Sequence, residues 1–186
     1  ETVIIGGATG NFGAHGIMMA LAMGAGKVIP IGRNKEALDK LQQISPARVC
    51  PAVLSGDLEK DTAAVVQAAG GLVDCFLDIV GGGSTNSILS SMRALKNKGR
   101  VALMGALQEP INIPYVEIMV KELTIKGNFM YPQTAAGEIT RLIQAGLIDW
   151  DLLDIKTFEL DNGAEAVREA TGRNGLSFNV ITGLNK

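Results

Sequence analysis

Histidine and cysteine are scarce in this sequence: His15 is the single histidine, and Cys50 and Cys75 are the two cysteines. That inventory excludes a disulfide-stapled scaffold, a four-cysteine zinc site and a His-rich metal centre within these 186 residues. Aromatic residues make up only 4%. No apolar run reaches the ~18 residues that suggest a membrane span. Neither sign of charge dominates: Lys+Arg number 17 and Asp+Glu 19, for a net charge of -2. The chain therefore carries no electrostatic footprint for nucleic acid or for an acidic membrane surface. With Glu1 standing one residue before the first strand-like run, the expectation is a chain without a secretory signal and a cytoplasmic location. Starting on Glu rather than Met suggests a processed or excised chain. What the sequence does have is 47% hydrophobic residues and 23 glycines. It is too apolar for disorder, and its length suits one domain over residues 1–186.

Two kinds of segment alternate. Short β-branched runs occur at Thr2–Ile5, Lys27–Ile31, Arg48–Cys50, Val73–Leu77, Arg100–Met104, Leu123–Lys126 and Ser177–Ile181, most of them bounded by Gly, Pro or Asp. Between them lie helix-like stretches. Ile88, Leu89, Met92 and Leu95 share one helical face, as do Ile139, Leu142 and Ile143. Ala164, Val167 and Ala170 repeat behind Asp161, a candidate N-cap. Strands that are apolar throughout, separated by helices, indicate a parallel sheet covered on both faces. The order reads as five strands alternating with four helices, a mixed stretch, another strand, two helices and a final strand. Cys50 and Cys75 fall inside these strand runs and read as small core residues.

The most informative stretch is Gly6-Gly7-Ala8-Thr9-Gly10-Asn11-Phe12-Gly13, which leaves the first strand and opens an apolar helix. A tight strand-to-helix turn needs unusual backbone angles. A pyrophosphate must approach backbone N–H groups closely, so a side chain at Gly10 would obstruct it, while Gly13 lets the helix pack on the strand. The helix N-terminus then offers unpaired donors and a favourable dipole. The competing reading is a glycine-rich turn without a ligand. The helix that follows carries Ile17, Met18, Met19, Leu21 and Met23 and is apolar nearly all round, which suits burial in a large sheet or under another domain. Its methionines read as core, and His15 as a structural rather than a catalytic histidine.

At the tip of the second strand an acid would hydrogen-bond the ribose 2′-OH of NAD. Here the residues are Gly32, Arg33 and Asn34, with Glu36 arriving later. A guanidinium suits a 2′-phosphate, because its fork can hold two oxygens. NADP is therefore the first choice and NAD the second. The alternative for Arg33 is a solvated turn residue or one that stacks on adenine. Ser55-Gly56-Asp57 ends the third strand, where adenine would lie. Asp78 sits in Leu77–Gly83 at a strand tip, either beside a ligand or as a cap for the next helix.

Taken in order, Gly7–Gly13, Val73–Gly81, Gly99–Gly105 and Lys121–Gly127 resemble the cofactor domain of medium-chain dehydrogenase/reductases. That family includes zinc-type alcohol dehydrogenases and zinc-free quinone reductases, and the Ala8-Thr9-Gly10 variant resembles the quinone-reductase side and related alcohol-dehydrogenase-like proteins more than horse-liver-type enzymes. The resemblance runs over roughly Thr2 to Thr182. It implies an α/β Rossmann fold, a doubly wound parallel six-stranded sheet with helices on both faces. It implies pyrophosphate at the turn Ala8, Thr9, Gly10, Asn11, Phe12 and Gly13. It places the adenosine ribose at Gly32, Arg33 and Asn34, and adenine at Asp57. Val80 and Gly81, with Gly105, would line the nicotinamide ribose, and Asn128, Phe129 and Met130 would sit at the carboxamide. The implied partners are the dinucleotide, a small alcohol, carbonyl or quinone, and a second copy paired at the sheet edge.

A whole enzyme of this family has an N-terminal catalytic domain of chaperonin-10-like fold, which carries the zinc ligands, where there are any, and most of the substrate pocket. Nothing here corresponds to it, so no catalytic residue or metal ligand is assigned within the chain. The expectation is an excised cofactor domain that binds dinucleotide without catalysing hydride transfer alone. Two other readings compete. An atypical short-chain reductase is disfavoured because Tyr-x-x-x-Lys is missing: Met119 follows Tyr115 and Ala135 follows Tyr131 at that spacing. A nucleotide-sensing domain is the third. A Rossmann-like methyltransferase fits less well, because small glycine-bounded turns suit a pyrophosphate better than a sulfonium.

Overall fold

The first strand, β1 (Thr2–Gly6), presents Ile4 and Ile5 to opposite sides, and both are fully buried. Successive strand residues point to opposite faces, so a strand with two adjacent buried isoleucines must be covered above and below. Burying each contributes roughly 1.5–3 kcal/mol. The computed structural model, which describes residues 1–82, 84–173 and 175–183, shows both covers. On one side Ile5 packs with Ile17 of α1 (Asn11–Ala22) and with Leu38 and Leu41 of α2 (Lys35–Gln42). On the other, Ile4 joins Val65 of α3 (Leu58–Ala69) and Ile88 and Met92 of α4 (Asn86–Arg93).

The central sheet has six parallel strands in the order β3-β2-β1-β4-β5-β6. Its members beyond β1 are β2 (Lys27–Gly32), β3 (Ala52–Val53), β4 (Val73–Asp78), β5 (Leu95–Leu103) and β6 (Thr124–Gly127). This is the doubly wound Rossmann arrangement, with the order reversing between β1 and β4. α5 (Tyr115–Lys121) precedes β6, and α6 (Ala135–Gln144) follows it. Beyond a short 3₁₀ turn, β7 (Asp154–Glu159), α7 (Gly163–Ala170) and β8 (Ser177–Thr182) form a unit of their own, in which β7 and β8 pair in parallel with each other and not with the six strands.

Several sequence expectations need correction. The run Arg48–Cys50 is not a strand. Val49 makes a single bridge to Val28, and pairing resumes only at Ala52 opposite Ile31. Val28 and Gly32 bond toward this side, but Pro30 between them has no N–H to give. Cys50 therefore lies outside any strand, and Cys75, though in β4, is half-buried against the Arg100 guanidinium rather than in the core. Leu95 opens β5 instead of extending the α4 face, because α4 ends at Arg93. Asn162, not Asp161, stands at the start of α7, and its side chain makes no cap bond. The buried residue of α7 is Ala166, whereas Val167 is 66% exposed. The strand β7 is absent from the sequence reading because Asp154-Ile155-Lys156-Thr157-Phe158-Glu159 alternates polar with apolar residues and is not a continuous apolar run. The final strand was expected and is present, but outside the main sheet. Gly83, read with the strand-tip run, and residues 184–186 of the proposed 1–186 domain lie outside the described residues.

Candidate functional site

The C-terminal edge of the sheet at the β1/β4 reversal is where open α/β sheets bind ligands. Three glycines hold the backbone there. Gly7 has φ +70°, and a Cβ on it would fall 2.9 Å from Ile79 O. A Cβ on Gly13 would fall 2.2 Å from Gly7 O and 2.5 Å from Ala8 Cα, so α1 can lie this close to the turn only with glycine at that position. Gly105, after β5, is equally confined: its Cβ would meet Val80 O at 2.4 Å and Asp78 Oδ2 at 2.8 Å.

Gly10 differs from these. Its backbone is extended (φ -81°, ψ 168°), and an added Cβ would meet nothing nearer than Gly7 O at 3.5 Å. The fold leaves room for a side chain at this position. Gly10 is also the N-cap of α1 and offers no side-chain acceptor. Among the described residues the N–H groups of Asn11, Phe12 and Gly13 have no hydrogen-bond acceptor. The helix end is therefore a set of free donors with the positive end of the helix dipole behind them.

Beside the turn lies a cleft of about 320 Å³. Of the residues expected to bind a cofactor, Thr9, Gly32, Arg33 and Val80 line it. Arg33 is exposed and makes no hydrogen bond or ion pair among the described residues, so its charge is available. Ser55 and Gly56 form part of the wall, held by a residue the sequence analysis missed. Asp61 is buried and accepts from Ser55 N (2.7 Å), Ser55 Oγ (2.8 Å) and Gly56 N (3.0 Å). Its signal was an acid one helical turn past a Ser-Gly-Asp loop. Asn86, also missed, donates to Gly56 O at 2.9 Å and so joins the loop after β3 to the start of α4.

Other expected residues are placed differently. Asp57 is the N-cap of α3 and accepts from Lys60 N at 2.9 Å, and it does not line the cleft. Asn34 caps α2 through Ala37 N at 3.1 Å, so its side chain is already committed. The side chain of Ala8 is fully buried in the core, and Phe12 points out, 73% exposed. Gly81 follows Val80 in the turn after β4, and Gly105 packs on that turn. Asn128 bonds back to Leu103 O through its N–H and to Met130 O through its side chain, and Phe129 between them is 94% exposed. His15 donates from Nδ1 to Asn11 O at 2.7 Å, a structural role.

Asp78 is neither an open ligand group nor a helix cap. It is 2% exposed, it accepts from Val80 N at 3.3 Å, and its carbonyl takes the N–H groups of Met104 and Gly105. Burial pushes its carboxyl above the usual range, partly offset by the Val80 hydrogen bond.

Among the described residues no group of three His, Cys, Asp or Glu side chains is placed to hold a metal ion. Zinc has no ligand set among the described residues.

The profile of the family described as zinc-binding dehydrogenases matches residues 12–145. The chain belongs to this family. The match covers α1 to the end of α6 and bears out the resemblance to medium-chain dehydrogenases. Curated relatives agree. L-arabinitol 4-dehydrogenase of Hypocrea jecorina is 26% identical over 166 residues, 89% of this chain and 44% of that protein. Sorbitol dehydrogenase of Rattus norvegicus is 27% identical over 184 residues, 96% of this chain and 48% of that protein. The chain spans about half the length of the curated relatives it matches. Among solved structures, a short chain alcohol dehydrogenase from E. coli CFT073 complexed with NADH superposes with a TM-score of 0.78 at 19% identity, covering 98% of this chain and 52% of that one. A 2R,3R-butanediol dehydrogenase from Bacillus subtilis gives 0.77 at 18% identity, covering 97% and 50%. At these identities the two structures bear on the fold alone, and that fold is the family's.

Asp78 yields a pH prediction. Its carboxyl is raised in the folded state, so the native protein binds its proton more tightly than the unfolded chain does. Stability from this group is present at low pH and is lost as pH rises from about 4, the unfolded carboxyl value, through the raised folded value. Asp78→Asn removes that loss. Urea unfolding of both proteins between pH 3.5 and 7 is expected to show the variant gaining stability relative to the parent as pH rises. A difference independent of pH contradicts the assignment.

Proposed function

We propose that this chain is the dinucleotide-binding half of an alcohol or carbonyl oxidoreductase, holding NADP(H) across the β1/β4 reversal and positioning its nicotinamide for hydride transfer. The observation that carries this reading is Gly10. The protein has room for a side chain there, yet the position is glycine and borders three free helix N–H groups. A ligand approaching the backbone accounts for both facts.

The cofactor, when bound, supplies the hydride chemistry. This chain's own residues bind and orient. The N–H groups of Asn11, Phe12 and Gly13 donate to the pyrophosphate. Ser55 and Gly56 flank adenine, in place of the expected Asp57. Gly32 leaves space at the adenosine ribose, and Arg33 supplies a permanent positive charge for a 2′-phosphate. Val80, Gly81 and Gly105 border the nicotinamide ribose, and Asn128 to Met130 lie toward the carboxamide. Asp61 and Asp78 keep the walls in shape.

The family and its polyol-dehydrogenase relatives favour an alcohol or its carbonyl as substrate, with a quinone as the second possibility on the Ala8-Thr9-Gly10 variant. In this reading residues 1–186 act as one cofactor unit, and substrate turnover requires the further half that relatives of twice this length possess. A location in the cytoplasm fits the sequence, and among the described residues no helix is long and apolar enough to cross a membrane.

We also propose a homodimer. The strand β6 lies at the sheet edge, and α5, which precedes it in the chain and packs on β5, leaves Tyr115, Val116, Met119 and Val120 at 56–77% exposure. Sedimentation equilibrium is expected to give twice the chain mass, with Val120→Glu returning it to the monomer. A parent protein that is monomeric at micromolar concentration contradicts this.

Arg33 provides the cofactor test. A charge-assisted contact contributes roughly 1.5–3 kcal/mol, about ten- to a hundredfold in affinity. NADPH is expected to bind that much more tightly than NADH, with the preference shrinking in added salt. Arg33→Ala removes most of the preference and leaves NADH binding nearly intact. Equal dissociation constants for the two cofactors in the parent protein would return the choice to NAD.

A further inference from the structure

Among the described residues the β7–β8 unit is hydrogen-bonded to the strands of the Rossmann sheet and the helices up to α5 through one side chain. Asn11, the first residue of α1, donates from Nδ2 to Gly175 O at 3.1 Å and to Ser177 O at 3.0 Å. Among the described residues no other hydrogen bond or ion pair joins residues 147–183 to residues 1–130. One helical turn on, His15 meets Phe178 of β8 edge-on, with ring centroids 5.1 Å apart at 69°. That imidazole is itself oriented by its bond to Asn11 O. From the other side, Ser177 Oγ donates to Asp154 Oδ2 at 3.1 Å, which ties the start of β8 to β7. The start of β8 is thus pinned between its partner strand and the first turn of α1.

Asn11 faces two ways. Its side chain is committed to β8, while its backbone N–H belongs to the free donor set at the head of α1. Whatever orders that turn also aims the Nδ2 group, and whatever fixes Nδ2 helps to order the turn. We propose that Asn11 is a positioning residue that couples dinucleotide binding to the docking of the β7–β8 unit, each stabilising the other. This rests on the reading of Gly10–Gly13 as the pyrophosphate site. The physical basis is shared ordering cost: the segment whose freedom is lost when β8 docks is the segment whose freedom is lost when the ligand binds. The coupling is reciprocal, so the factor by which docking strengthens binding equals the factor by which ligand strengthens docking.

Two variants test it from opposite ends. Asn11→Ala removes the donor. Gly175→Ala strains the acceptor segment, because Gly175 has φ +66°; its added Cβ would reach only Thr9 O, at 3.9 Å. Calorimetry with NADPH and with NADH gives the affinities, and hydrogen exchange at β8, with and without saturating NADPH, reports docking. In the parent protein the ligand is expected to slow β8 exchange by about fivefold or more, the lower end of coupling between sites. Asn11→Ala is expected to weaken binding by a similar factor and to abolish the slowing. Gly175→Ala weakens binding in the same direction without touching the ligand, and the double variant loses less than the product of the two single losses. A purely structural role would lower the melting temperature without making β8 exchange respond to ligand. Parent protein that binds dinucleotide with no change at β8, or Asn11→Ala that retains full affinity, overturns the coupling alone. Parent protein that binds neither cofactor overturns the reading of the turn and the coupling with it.

Discussion

The contact between Gly13 and the turn at Gly7–Ala8 is the constraint on which the site depends. With a would-be Cβ only 2.2 Å from Gly7 O, no other residue fits unless helix and turn separate. That approach drives α1 against β1, fills the space beneath it with Ile5, Ala14 and Ile17, and sets the free end of the helix at the sheet's C-terminal edge. The exposed set of N–H donors at the head of α1 is thus a by-product of packing. The same tightness recurs across the reversal, where Gly105 closes on Val80 and Asp78. Three confined glycines and one buried acid therefore fix the loops that frame the cleft, whereas Gly10, between Gly7 and Gly13, has room for a side chain.

The sequence exposed this framework where a single residue type has a single physical reason. Glycines at a strand-to-helix junction, apolar runs on β1 and β2, and the Leu-x-Ile-x-Gly run of β6 all led to the right elements, and the family resemblance they carry implied the six parallel strands. It was less legible where polar residues have two uses. Asp57 and Asn34 were assigned to the cofactor, but both cap helices, and nothing in residue type separates a cap from a ligand when both stand at a loop-to-helix junction. Asp78 looked open to ligand or helix and is instead buried by the neighbouring turn. Asp61 went unnoticed because its partners are backbone N–H groups, which leave no mark in the sequence. The β7 strand carries no such signal, because it alternates polar with apolar residues where a strand buried on both faces is apolar throughout.

Electrostatics divide the site's labour. The chain carries almost no net charge, so long-range steering of an anion is weak. In the proposed site recognition falls to short-range groups: unpaired N–H donors at a helix end and, among the described residues, the unpaired guanidinium of Arg33. Such groups are effective because their partners are missing in the free protein, and capping or pairing them internally would stabilise the chain at the expense of binding. Asn34 and Asp57 cap α2 and α3 beside the same cleft, whereas Gly10 at the head of α1 brings no side-chain acceptor.

The central claim is that Gly10 is glycine for a ligand and not for the fold. Calorimetric titration of NADPH into the parent protein and into Gly10→Val tests it most directly, with thermal unfolding measured on both. The account predicts that the variant melts within a few degrees of the parent and loses at least tenfold in affinity, because the branched side chain occupies open space on the pyrophosphate path. A variant that binds NADPH as tightly as the parent would contradict the claim and place the dinucleotide elsewhere.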